Sequence, residues 1–122
     1  MQIDTEVDQR KRTVIVNPQR CRVLSFGLAP GVAAAAAAQA GFAWTLEYVK
    51  SREAFGERIA DFQNTRFRLA DLAVTVDVIW AYIDRAITLY GEGALTPEEA
   101  AKVKFWTTER EWEVLDTCVQ LH

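Results

Sequence analysis

The chain has 122 residues, half of them hydrophobic and a quarter charged, with a formal net charge of −3. This is globular composition, of a length that forms one small domain and buries roughly two thirds of its unfolded surface. It excludes a disordered chain and a strongly basic nucleic-acid binder. Arg10, Lys11, Arg12, Arg20 and Arg22 form a loose basic stretch, but Asp4, Glu6 and Asp8 stand beside it, so it reads as a solvated tail. The only histidine is His122, and Cys21 and Cys118 lack metal-ligand spacing. A His-rich zinc site is excluded, a His-Asp catalytic pair nearly so, and reduced, partly buried thiols are expected. There is no positively charged start followed by an apolar run, so no secretory signal is expected. Gly31 to Val49 is apolar mainly through alanine and reads as too weakly hydrophobic to span a bilayer. A soluble, cytoplasmic chain is expected.

Residues 1 to 29 read as a poorly structured segment. Within them Thr13 to Val16 could make a short strand, with Asn17-Pro18 a turn after it. Gly27, Pro30 and Gly31 are expected to break any helix before Val32. A first helix is then predicted from about Pro30 to Arg52, with Pro30 in its first turn and an alanine run from Ala33 to Ala38. Phe42, Trp44, Leu46, Tyr48 and Val49 in its second half argue for a packed helix over plain low complexity.

The second helix has the clearest pattern. Leu69, Leu72, Val76, Ile79, Ile83, Ala86 and Tyr90 recur at alternating spacings of three and four, a heptad seam, with Asp77 and Asp84 facing outward. With Asp61 as N-cap and Tyr90 as its end, this helix would be roughly 40 Å long. Gly91 and Gly93 terminate it. Thr96-Pro97-Glu98-Glu99 restarts the chain: Thr96 as N-cap, Pro97 at the first helical position, Glu99 as the capping-box partner. The third helix carries Phe105, Trp112, Leu115 and Val119 on one face. The expected fold is all-α, an antiparallel up-down bundle. Three such helices leave an apolar seam that a fourth helix or another subunit must cover, and Trp80, Trp106 and Trp112 make leaving it bare costly.

One stretch carries chemistry. Ser51-Arg52-Glu53-Ala54-Phe55-Gly56 is followed by Asp61-Phe62-Gln63 and then by Phe67-Arg68-Leu69-Ala70-Asp71; Val119-Gln120-Leu121-His122 lies at the other end. An Arg-x-x-Phe-Gly turn, a Phe-Gln and an Arg-x-Leu-Ala-Asp helix together resemble the C-terminal helical domain of flavin-dependent acyl-CoA dehydrogenases. The resemblance runs from about Val32 to His122. It implies three helices of a four-helix domain at 30–122, the fourth missing, in a chain that is a fragment and inactive alone.

The parent activity it implies is α,β-dehydrogenation of an acyl-CoA thioester by FAD. Electrons would pass on to an electron-transferring flavoprotein, in a homo-oligomer. By position, Arg52 matches an arginine that contacts the FAD phosphates, where a guanidinium offers paired donors. Phe55 matches an aromatic residue against the adenosine part, and Gln63 a glutamine bonded to it. Gln120 matches the glutamine before the family's Gly-Gly turn, a pair that would lie past His122. Arg68 and Asp71 read as an intrahelical pair of small worth.

No catalytic residue is assigned. Glu47 is the only acid of the first helix before the turn and lies nearer the turn than a base is placed in the branches that use this helix. Phe26-Gly27-Leu28-Ala29-Pro30 stands where the family has an arginine, and Arg22 does not register with it. The alternative, from another class, is a non-enzymatic helical dimerisation or interaction module, or a pseudoenzyme remnant. A flavin-dependent monooxygenase or acyl-CoA oxidase relative would share the fold.

Overall fold

The computed structural model describes the backbone at residues 7–8, 13–14 and 18–122, and the side chains at 22 and 25–122. The remainder of the predicted 13–16 strand, Asn17, the basic side chains before Arg22 and the Cys21 thiol lie outside the described residues. In chain order, strands β1 (Val7–Asp8) and β2 (Thr13–Val14) pair antiparallel, Val7 opposite Val14 and Asp8 opposite Thr13. Three helices follow: α1 (Pro18–Ser51), α2 (Gln63–Gly91) and α3 (Pro97–Leu121). Between α1 and α2 lie a hairpin of β3 (Glu53–Ala54) and β4 (Glu57–Arg58) and a 3-10 turn, Ile59–Asp61. The all-α up-down arrangement is as expected.

α1 corrects the predicted start. It begins at Pro18 and runs 34 residues through Gly27, Pro30 and Gly31 without a break. Proline removes one backbone hydrogen bond, normally enough to end a helix. Here the small residues serve a close approach. A Cβ added at Gly27 would lie 2.8 Å from the Cβ and carbonyl oxygen of Ala100, so α1 and α3 meet almost backbone to backbone. Further along, Ala34, Ala35, Ala38, Thr45 and Val49 are all buried. The bilayer expectation also changes. Within this longer helix, Ser25–Ser51 has an apolar window of mean hydropathy 1.3 and is, by length and composition, apolar enough to cross a membrane. Ala35 and Ala38 from that stretch belong to the core shared with α2 and α3, and the interior helix of a bundle has the same composition.

α2 follows the heptad seam. Leu72, Val76, Ile79, Ile83 and Ala86 are buried, and Asp77 and Asp84 are exposed. Its start differs: the N-cap is Phe62, with no side-chain cap, because the Asp61 carboxylate accepts two hydrogen bonds from Arg58 instead (Nε–Oδ2 2.9 Å, Nη2–Oδ1 3.2 Å). Gly93, at φ +70°, turns the chain, and the Ala94 and Leu95 amides both donate to the Leu89 carbonyl. The capping box forms as predicted: Glu99 N donates to Thr96 Oγ1 at 3.2 Å, and Thr96 N to Glu99 Oε2 at 3.3 Å.

The interior face of α3 is not built from its large residues. Ala100, Val103, Thr107, Val114 and Cys118 are buried, whereas Phe105 (69%), Trp112 (74%) and Val119 (68%) are exposed. Leu115 is half-buried between them. Only small side chains fit where α3 lies this close to α1, so the aromatic residues form an outward apolar stripe. Trp44 on α1, 69% exposed, is a further apolar side chain in solvent. Arg68 and Asp71 form none of the ion pairs recorded among the described residues, which are Arg58–Asp61, Arg85–Glu99 and Arg110–Glu113.

Candidate functional site

Antiparallel topology brings three chain ends together: the C-terminus of α1, the N-terminus of α2 and the C-terminus of α3. All four predicted cofactor residues stand at this end of the bundle. Arg52 follows the last residue of α1; its amide donates to the Tyr48 carbonyl (2.9 Å), and its carbonyl accepts from Ile59 N (2.9 Å), closing the hairpin base. Glu53 pairs with Arg58 and Ala54 with Glu57, leaving Phe55-Gly56 as a two-residue loop.

Both loop residues have positive φ, +56° at Phe55 and +86° at Gly56, as a type I′ turn requires. Glycine accepts this freely; for phenylalanine the left-handed region costs about 1–2 kcal/mol. Phe55 gains nothing back within the chain, since its side chain is fully exposed. Backbone strain held by a bulky residue with no packing inside the chain singles Phe55 out as a candidate contact residue. The Arg58–Asp61 pair braces the second strand, and the hydrogen bond to Asp61, then its charge, holds the Arg58 guanidinium above its usual range.

Gln63, in the first turn of α2, borders an open pocket of about 410 Å³ with Arg66 and Phe67. Gln120 is exposed on the last turn of α3. Among the described residues, the side chains of Arg52, Gln63 and Gln120 make no hydrogen bond or ion pair within the chain. Their donors are free to face a ligand. Glu47 is exposed on α1, and no metal-holding cluster occurs among the described residues.

Sequence reasoning missed a cluster beside these residues. The His122 imidazole stacks on the Tyr48 ring, centroids 4.2 Å apart and planes 21° apart. The Tyr48 hydroxyl donates to the His122 carbonyl at 3.0 Å, and His122 Nε2 lies 3.3 Å from Thr45 Oγ1. The available signal was the meeting of the α1 and α3 C-termini in an up-down bundle. A larger apolar groove, about 660 Å³, lies between α2 and α3 around Val78, Tyr82, Phe105 and Trp106, and none of the motif residues lines it.

Residues 28–122 match the family "Acyl-CoA dehydrogenase, C-terminal domain". The chain is similar to the pig mitochondrial long-chain specific acyl-CoA dehydrogenase, 35% identical over 89 residues, 73% of this chain and 21% of that protein. A probable acyl-CoA dehydrogenase of Bacillus subtilis, YngJ, is 32% identical over 101 residues, 83% of this chain and 25% of that protein. A caffeyl-CoA reductase-Etf complex subunit of Acetobacterium woodii is 33% identical over 85 residues, 70% of this chain and 22% of that protein. Among solved structures, an acyl-CoA dehydrogenase from Geobacillus kaustophilus superposes with a TM-score of 0.80 at 35% identity, over 83% of this chain and 27% of that one. The chain spans about a fifth to a quarter of the length of the curated relatives it matches.

Proposed function

Because the chain belongs to the acyl-CoA dehydrogenase family through that family's C-terminal domain, we propose that it supplies part of an FAD site for α,β-dehydrogenation of an acyl-CoA thioester. The observation that carries this reading is the placement of Arg52, Phe55, Gln63 and Gln120 at one bundle end, with the three polar side chains unpaired. The donor set fits a dinucleotide. A guanidinium gives paired hydrogen bonds to phosphate oxygens, a carboxamide both donates and accepts toward an adenosine, and an exposed ring offers it an apolar face.

FAD, when bound, would accept the hydride from the acyl β-carbon. The residues of this chain would bind and orient: Arg52 the phosphates, Phe55 and Gln63 the adenosine half, and Gln120 the neighbouring part of the cofactor. The carboxylate that removes the α-proton is not assigned to this chain, so the chain alone is expected to be inactive. An electron-transferring flavoprotein as acceptor is supported by the Etf-complex subunit among the similar proteins. The test is an FAD titration followed by intrinsic tryptophan fluorescence; saturable quenching supports the site, and its absence counts against it.

A second reading, a helical interaction module, draws on the bare stripe of Trp112 and Val119. It predicts a dimer that forms without FAD and takes none up. Light scattering combined with the same titration separates the two.

A further inference from the structure

The cluster of His122, Tyr48 and Thr45 stands beside the cofactor residues, with Thr45 buried and His122 exposed. It joins the last residues of the chain to the final two turns of α1 through three different contacts. The ring stack, 4.2 Å between centroids, fixes the plane of the imidazole. The Tyr48 hydroxyl, donating to the His122 carbonyl at 3.0 Å, fixes the backbone. Thr45, 1% exposed, meets Nε2 at 3.3 Å. A threonine hydroxyl both donates and accepts, so this contact holds for either imidazole tautomer.

The main-chain oxygen of His122 accepts its hydrogen bond from a side chain of a different helix. Gln120 lies two residues before it, and Tyr48 lies four residues before Arg52 and accepts that residue's amide proton at 2.9 Å. Tyr48 therefore stands one helical turn before Arg52 on α1 and contacts the residue two positions after Gln120 on the α3 side.

We propose that Tyr48, Thr45 and His122 form a latch that fixes the last turn of α3 on α1 and so sets where Gln120 stands relative to Arg52. His122 and Tyr48 are positioning residues and need not touch the cofactor. The proposal rests on the FAD reading only for what Gln120 does; the latch itself is a property of the cofactor-free chain.

The test uses the whole chain. His122 is its only histidine, so its imidazole protons are identified in a proton NMR spectrum without assignment work. Stacking on Tyr48 places them upfield of an unstructured histidine. Tyr48→Leu returns them to the unstructured position, and Tyr48→Phe, which keeps the ring, does not. Amide hydrogen exchange over 119–121 accelerates about fivefold in Tyr48→Phe, the worth of one ordinary hydrogen bond, and more in Tyr48→Leu. Exchange over 100–107 stays unchanged in both.

Imidazole signals that ignore Tyr48→Leu overturn the latch. Acceleration spread evenly along α3 also overturns it, since that marks general destabilisation. FAD affinity that is the same in wild type and Tyr48→Leu overturns the positioning of Gln120. If wild type binds no FAD while 119–121 is released as described, the latch stands and the FAD reading is what fails.

Discussion

Gly27 of α1 faces the backbone of Ala100 of α3 so closely that a single added carbon would stand 2.8 Å from the Ala100 carbonyl oxygen and 2.9 Å from its carbon. The two helices are held apart by little more than main chain at this crossing. Gly41, further along, faces only the tip of Leu115, whose Cδ2 would be 2.5 Å from an added carbon. A backbone cannot yield, whereas a leucine tip can rotate. Gly27→Ala is therefore expected to destabilise the chain by about 1–3 kcal/mol through overpacking. Gly41→Ala should cost far less, because the gain in helix propensity, about 1 kcal/mol, offsets the shift of Leu115. Urea unfolding of both variants checks the order; equal midpoints would contradict this account of the α1–α3 contact.

Phe55 is the one non-glycine residue with positive φ among the described residues. Phe55→Asn creates the Asn-Gly pair that type I′ turns favour and should raise stability by about 0.5–1 kcal/mol. The same change removes the exposed ring and should weaken FAD binding. Opposite signs in a thermal melt and an FAD titration are the expected result. A variant that loses stability would show that the Phe55 ring packs within the chain after all.

Thr96 and Glu99 close the start of α3 with reciprocal hydrogen bonds. Thr96→Ala removes the side-chain acceptor and should cost about 1 kcal/mol. FAD affinity should not change, since this cap lies at the opposite end of the bundle from Gln120. Thermal unfolding and FAD titration of the same sample decide both halves.

Much of this was legible in the sequence because the determinants were local or strictly periodic. The seam from Leu72 to Ala86 and the Thr96 capping box needed only spacing and residue type. The start of α1 was not legible, because Gly27, Pro30 and Gly31 are breakers by propensity, and only the nearness of Ala100, Val103 and Ile83 gives the two glycines another purpose. The face of α3 was misjudged for a related reason. Phe105 and Trp112 look like core by size, but a tight helix pair has room only for Ala100, Thr107 and Cys118. Asp61 looked like a helix cap and serves Arg58 instead. Arg52, Phe55, Gln63 and Gln120 came from the motif; periodicity says nothing of them, and their common place at one end emerges only in the fold.

Arg52 decides the central claim. Arg52→Lys keeps the charge but loses the planar fork that grips two phosphate oxygens, so FAD binding should weaken about tenfold, and further for Arg52→Ala. The guanidinium is exposed and unpaired within the chain, so the melting temperature should not move. The most direct measurement is the equilibrium FAD titration of wild type beside these two variants. Saturable binding that falls in the order wild type, lysine, alanine at constant stability is the predicted result. Three identical curves, or no binding by a folded wild-type chain, would contradict it.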